Sequence, residues 1–281
     1  MIKISIITAT YNSATTLRQT IESVLNQDYP NIEYIVIDGG STDGTVKILQ
    51  DYSSRIAYWV SEPDSGIYDA FNKGIRAATG DYIQFLGSDD CFCGTSVISQ
   101  MAAAIDRQTD ILSAAIYWID SRRNLQLKVG NEKARNKEQF DGEMIPHPGM
   151  FTRAGLMKEH MFDTSFRIAA DYDFFLDCYL NRNVYFRFVD FPAVFFSLDG
   201  ISGTNSPILQ TENQRIWEKY HLIKTMEDNQ AAASRHNKGW RVLIRNAIKA
   251  VGLYPWFLIH FRGWEPHRCE NKICRWCGRE G

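Results

Sequence analysis

Up to Asp90 the chain alternates short β-branched runs with segments whose apolar residues recur at three and four, and this alternation restricts it to one class of fold. Ile4–Ile7 and Ile32–Ile37 are the first two strand-like runs. Leu17, Ile21, Val24 and Leu25 then mark one helical face that ends at Tyr29-Pro30, and a second helix passes through Val46 and Leu49. A third apolar run, Tyr82–Leu86, is bounded by Gly80 and Gly87 and leads into Asp89 and Asp90. Strand and helix in alternation predict an α/β fold with a mostly parallel sheet flanked by helices.

Open α/β sheets take ligands at the carboxyl ends of their strands, so the polar segments after these runs are the places to look. Asp89 and Asp90 are suited to a hard divalent cation, which prefers oxygen ligands and can bridge diphosphate oxygens. The alternative is a polar turn after a strand. Asp38 would repel a phosphate set directly against it, so a base or a ribose hydroxyl is its better partner, with a turn-forming Asp as the alternative. The turn from Gly39 to Gly44 has Ser41 where a dinucleotide fingerprint needs its middle glycine, and there is no Gly-Lys-Ser/Thr. Both phosphate-loop classes are thereby excluded.

Composition adds bounds. With 281 residues, 44% hydrophobic and 23% charged, the chain is long enough for a large core and unlike disordered or fibrous sequences. The start MIKISIITATYN goes straight into a strand, and no apolar run approaches the ~18 residues of a spanning helix; a cytosolic location follows as the expectation. Six cysteines, three of them near the end, do not form a disulfide framework. Charge is unevenly placed. Ser234–Gly281 holds ten Lys or Arg against three Glu, a balance of +7, which leaves −9 on residues 1–233. A basic tail of this kind points to an anionic partner.

Four stretches carry a resemblance: Ile7-Thr-Ala-Thr-Tyr-Asn12, Asp38-Gly-Gly-Ser-Thr-Asp-Gly-Thr45, Asp64-Ser-Gly-Ile-Tyr-Asp-Ala-Phe-Asn-Lys-Gly74 and Gly87-Ser-Asp-Asp90. In order and spacing they resemble family 2 glycosyltransferases over residues 1–205. The resemblance implies the GT-A fold, a nucleoside diphosphate sugar as donor (UDP-sugars being the commonest), inversion at the anomeric carbon, and Mg2+ or Mn2+. It further implies that Thr8, Tyr11, Asp38 and Asp64 line the nucleoside pocket and that Asn72 lies near the donor. Asp89 would face the ribose and sugar, and Asp90 would be the main metal ligand. Ser88-Asp89-Asp90 stands where the family often has Asp-x-Asp, so the division of labour between the two carboxylates is left open. Lys73 reads as a solvated helix residue.

Beyond Asp90, Cys91-Phe-Cys93 reads as two small buried hydrophobes rather than a metal or redox pair. A helix over Thr95–Ile105 and a strand over Ile111–Trp118 follow, then a polar hairpin region from Asp120 to Asn131. Pro146-His147-Pro148 holds an imidazole on a rigid loop, either at the acceptor or diphosphate, as in related enzymes, or as a hydrogen-bonded structural histidine. Tyr172, Phe175, Leu176, Tyr179 and Leu180 form a helical stripe with Asp171 at its start. Asp171 is an N-cap by its position, and the resemblance makes it the general base, although Ala170 replaces the family's Glu before it. Strands Tyr185–Val189 and Ala193–Phe196 come next. Ser202, in a Gly-rich loop that resembles the family's lid, is either a phosphate contact or a turn residue. No His occurs between 198 and 206 to serve as a third metal ligand.

The expected division is a nucleotide-sugar half (1–120), an acceptor half (121–205) and a helical, basic extension (206–281). A polar helix runs from Leu209 to Met226. Trp240, Leu243, Ile244, Ala247, Ile248 and Val251 then form an amphipathic stripe beside Arg241, Arg245 and Lys249, with aromatic residues after it. Residues 239–264 are therefore expected to dock on an anionic membrane face, the alternative being a helix packed on the domain. His267, Cys269, Cys274 and Cys277 present four ligands suited to zinc, or a frayed reduced terminus. The expected activity is sugar transfer to a hydroxyl acceptor, in the setting of a lipid-linked glycan and surface polysaccharide assembly at the inner face of the membrane, with no nucleic-acid partner. A nucleotidyltransferase should carry a basic Gly-rich loop where this chain has Thr8–Ser13, and a catalytically silent binding module should have lost Asp90 or Asp171.

Overall fold

The structure, a computed structural model, describes residues 1–200, 207–223, 258–259, 262–267 and 276, with Lys133 and Gln139 described by backbone alone. In chain order its first part is β1 (Ile4–Thr10), α1 (Leu17–Leu25), β2 (Ile32–Asp38), α2 (Thr45–Tyr52), β3 (Tyr58–Ser61), α3 (Ile67–Ala77) and β4 (Tyr82–Phe85). There follow β5 (Cys91–Phe92), α4 (Val97–Ala104), β6 (Ile111–Asp120), β7 (Leu125–Val129), β8 (Met150–Arg153), α5 (Ala154–Glu159), α6 (Ala170–Leu176), β9 (Phe186–Ser197), α7 (Pro207–Lys219) and β10 (Glu265–Pro266).

One sheet runs through all of it in the order β10-β7-β6-β8-β4-β1-β2-β3, with β9 beside β6 and β5. The pairs β3–β2, β2–β1, β1–β4 and β6–β9 are parallel; β8, β7, β5 and β10 enter antiparallel. Every residue of β1 is buried, as a parallel strand covered on both faces must be. Alternation sends Ile4 and Ile6 into the layer with Leu17, Ile21, Leu49 and Met101, while Ile7 and Ala9 meet Phe71, Ile75, Phe175 and Ile216 on the other face. The sheet is shared by the two expected halves, and α7 with the residue after it buries Ile216 and Tyr220 in the same core. Among the described residues, the expected break at 205/206 therefore does not part α7 from the domain, and β10 adds to the sheet edge through Glu265 and Pro266.

Two local differences from the expected elements have clear causes. The expected strand pair at 185–196 is one strand, β9, whose register against β6 slips around Ala114–Ile116; Pro192, which lacks an amide hydrogen, sits within that irregularity. The stripe on α6 loses its last member because the helix widens into a π turn at Asp177–Asn181, which rotates Leu180 out to 41% exposure while Tyr179 stays buried.

Candidate active site

Three loops at the carboxyl ends of β1, β2 and β4 are laced together. Asn12, in the left-handed region at φ 49°, donates its amide to Ser41 Oγ and accepts from the Thr42 amide through Oδ1 at 2.9 Å. The amides of Ser13 and Ala14 donate to Thr45 Oγ1 and Asp43 Oδ2, and the Ser13 and Ser88 hydroxyls lie 2.9 Å apart. Because parallel strands end side by side, residues far apart in sequence form one rim. Tyr11 stands on it 63% exposed.

The β4 tip carries the carboxylates. A Cβ on Gly87 would lie 2.7 Å from Asp90 Oδ2 and 3.2 Å from Asp89 Oδ1, so both side chains fold over this glycine and close to each other. A Cβ on Gly200 would lie 2.9 Å from Asp89 Oδ2. Asp90 is 3% exposed and accepts from the Ser197 amide through Oδ1 at 2.9 Å; Asp89 is the more accessible of the two. Two adjacent carboxylates in a space a side chain at 87 would fill are a fitting seat for a hard divalent cation that completes its shell with water and phosphate oxygens. No cluster of three or more His, Cys, Asp or Glu suited to a metal occurs among the described residues.

On the other flank of β4, Phe85 stacks on the His147 ring at 5.3 Å between centroids, with Phe71 and Phe162 edge-on. His147 Nδ1 lies 3.5 Å from Asp171 Oδ2. Burial lowers the imidazole's pKa below its ordinary value and the Asp171 carboxylate only partly restores it, so the ring is neutral at physiological pH. Asp171 Oδ1 lies 2.8 Å from the Tyr68 hydroxyl and accepts from the Tyr172 amide at 3.0 Å. Burial first, and then the neighbouring Asp171 charge, raise Tyr68 well above the usual phenol range, which keeps it protonated. Asp171 is thus a partly exposed carboxylate with one oxygen held and the other turned to an imidazole.

Several of the expected roles change once the folding of these segments is seen. Asp171 is not an N-cap; Ala169 occupies that position and Asp171 is the second residue of α6. Thr8 does not line a pocket, because β1 runs on to Thr10 and buries Thr8 completely beneath the Tyr34 hydroxyl. Asn72 does not face the donor either: its amide donates to the Phe162 carbonyl and accepts from the Phe162 amide, pinning α3 to the 160–166 segment. Asp38 is fully buried, and its carboxylate accepts from the Gly40 and Ser41 amides and the Ser41 and Ser61 hydroxyls. It closes the turn, and those hydroxyls would have to give way before it met a base. Asp64 accepts from the Gly66 amide with its Oδ2 over Gly39, where a Cβ would come within 2.6 Å.

Asp173, the other acid in the first turn of α6, is taken by Lys219 at 2.7 Å. Cys91 is buried, and burial pushes the Cys93 thiol well up, so both behave as small apolar groups. His267 is buried with Nδ1 2.8 Å from Gln126 Oε1 and packs on Phe195 and Trp276; Cys269, Cys274 and Cys277 lie outside the described residues, as do Ser202 and the 240–251 stripe. Sequence reasoning missed Tyr68, although a hydroxyl-bearing aromatic residue two positions after the glycine that starts α3 was signal enough. It also missed Ser41, which meets Asp38 within the turn itself, and Ser61, which meets it through the β2–β3 pairing.

This sheet, with its laced loops and an acidic strand tip, is that of a GT-A glycosyltransferase. Staphylococcus aureus TarS 1–349 in complex with UDP-GlcNAc shares it at a TM-score of 0.59 and 23% identity, over 69% of this chain and 58% of that one; the present chain spans only 36% of the longer TarS. A mannosyltransferase from Pyrobaculum calidifontis in complex with GDP-Man and Mn2+ matches at a TM-score of 0.57 and 15% identity, over 92% and 85% of the two chains. The model of glycosyl transferase family 2 matches residues 5–166. An uncharacterized glycosyltransferase of Mycobacterium tuberculosis is 37% identical over 176 residues, which cover 62% of this chain and 67% of that protein. A PGL/p-HBAD biosynthesis glycosyltransferase of the same organism is 28% identical over 212 residues, 74% and 81% of the two chains. The chain belongs to glycosyl transferase family 2 and is a glycosyltransferase.

Proposed function

We propose that the protein moves a sugar from a nucleoside diphosphate donor, UDP favoured, to a hydroxyl acceptor with inversion, and that Asp171 is the general base. The observation that carries this reading is the state of the two acids on α6: Asp173 is spent on Lys219, while Asp171 is partly exposed and turns an oxygen to His147. In the proposed reaction Asp171 takes the acceptor proton as its oxygen attacks the anomeric carbon, and the bond to the diphosphate breaks with its electron pair passing to the leaving group. Neutral His147 and Tyr68 hold the carboxylate, and the aromatic residues around the imidazole keep water from it. Asp89 and Asp90 would hold Mg2+ or Mn2+. The cation, when bound, neutralises charge on the departing diphosphate. Tyr11 would stack on the base, and Asp64, set over Gly39, would meet the nucleoside at the end of β2.

A lipid-linked glycan is the proposed acceptor, with the enzyme attached peripherally to the inner membrane face through residues 239–264. The basic, aromatic-rich sequence supports this, as does similarity to a protein named for PGL/p-HBAD biosynthesis. No helix among the described residues is long and apolar enough to cross a membrane. Titrating UDP, GDP and dTDP by calorimetry with and without Mn2+ tests the donor. UDP should bind only with the cation; metal-independent binding, or preference for a triphosphate, would favour a silent binding module or a nucleotidyltransferase. Co-sedimentation with anionic vesicles tests the tail: the full chain should pellet and detach in high salt, and a chain ending at Asn237 should stay in solution.

A further inference from the structure

We infer that Glu212 on α7 is a positioning residue for Asp171, reaching it through the backbone that leads into α6; the inference rests on Asp171 being the base. Glu212 lies in a polar helix yet is only 8% exposed. Its Oε1 accepts from the Arg167 amide at 2.6 Å, and its Oε2 accepts from the Ile168 and Ala169 amides at 2.9 and 3.0 Å. These three residues immediately precede α6, whose N-cap, Ala169, has no side chain able to cap. A carboxylate more than forty residues away instead holds the segment that enters the helix, by the amides of Arg167, Ile168 and Ala169.

The link continues to the site. The Ile168 carbonyl lies 2.5 Å from the Tyr68 hydroxyl, which is also 2.8 Å from Asp171 Oδ1. Ile168 is therefore gripped on its amide by Glu212, and its carbonyl shares the one Tyr68 hydroxyl proton with Asp171. Other contacts from α7 reach the same segment: Arg215 donates to Ser165 Oγ and covers the Phe166 ring, Trp217 donates to the Tyr172 hydroxyl, and Lys219 pairs with Asp173. All of α7 lies beyond residue 166, where the family match ends, so the chain sets its proposed base with a helix outside that match.

If Glu212 is removed, three buried amides lose their acceptor at once, and the turn that aims Asp171 must rearrange. The test uses the full chain with UDP-glucose and UDP-GlcNAc as donors, Mn2+, and UDP release to water as the signal. Glu212→Gln should lower kcat at least tenfold while the donor KM stays within about twofold, because β1, β2 and β4 are untouched; Glu212→Asp, which keeps the charge and is the milder change, should fall between. By NMR the His147 titration should move to lower pH in Glu212→Gln, as it should in Asp171→Asn, since the imidazole loses the carboxylate that partly restores its basicity. A lower melting temperature with unchanged kcat and unchanged His147 titration would overturn the inference and leave Glu212 a structural anchor of the 167–169 segment only. If Asp171→Asn itself keeps the wild-type rate, the base assignment fails; the His147 titration in the Glu212 variants then decides whether Glu212 positions Asp171.

Discussion

The two acids of α6 offer a paired test, because Asp171 and Asp173 are neighbours in sequence and opposites in environment. Asp171→Asn keeps an oxygen at Oδ1 for Tyr68 and the Tyr172 amide, and places its new NH2 near His147 Nδ1, which accepts when the ring proton is on Nε2. Two hydrogen bonds weaken from charged to neutral, which costs on the order of 1 kcal/mol of stability. The rate effect should be far larger. General bases contribute about 10²- to 10⁴-fold, equivalent to roughly 3–5 kcal/mol of activation free energy. Asp173→Asn reverses the pattern. Its carboxylate side chain is 10% exposed and loses the charge that pairs with Lys219, itself 49% exposed, so about 1–2 kcal/mol of stability should go while the rate is unchanged. Urea unfolding and initial rates of UDP release from UDP-sugar, measured on both variants, give four numbers. An Asp171→Asn rate within threefold of wild type would refute the argument, as would equal rate losses in the two variants.

Asp90→Asn retains an oxygen for the Ser197 amide, so the fold should hold while Mn2+-dependent UDP binding weakens at least tenfold; undiminished turnover in excess chelator would count against the cation site. For Glu33, burial raises the carboxyl, but bonds from Lys3, Ser5 and Thr79 outweigh it and hold the pKa at about 2. A depressed acid contributes stability that is present above its unfolded value near 4.5 and lost as pH falls toward 2, about 3 kcal/mol at most and less where water screens the part-exposed Lys3 ammonium. Acid unfolding of Glu33→Gln should show that much less pH dependence in this window. Gly149→Ala would place a Cβ 2.4 Å from the Ala114 carbonyl oxygen, so the His147 turn must shift; a loss of about 1–3 kcal/mol in thermal unfolding and a reduced rate are expected.

The order of strands and helices through Asp90 was legible in the sequence because those elements are specified locally, by a β-branched run at Ile4–Ile7 and by a period of 3.6 on the Leu17–Leu25 face. The positions of Asp89, Asp90 and Asp171 were legible too, since each sits at the start or end of such an element. What Thr8, Asn72 and Asp38 do was not. Whether a polar side chain meets a ligand or a neighbour depends on the partner, and here the partners are Tyr34, Phe162 and Ser61, brought near by strand pairing and by the packing of α3. Glu212 shows the same limit at greater range: it reads as one more acid in a polar helix until α7 docks and three amides from Arg167 to Ala169 converge on it. Periodicity is a property of neighbours in the chain, so it determines which elements form and which faces they bury. Hydrogen bonds between residues tens of positions apart exist only once those faces have packed, and they are what hold the Asp171 carboxylate in place.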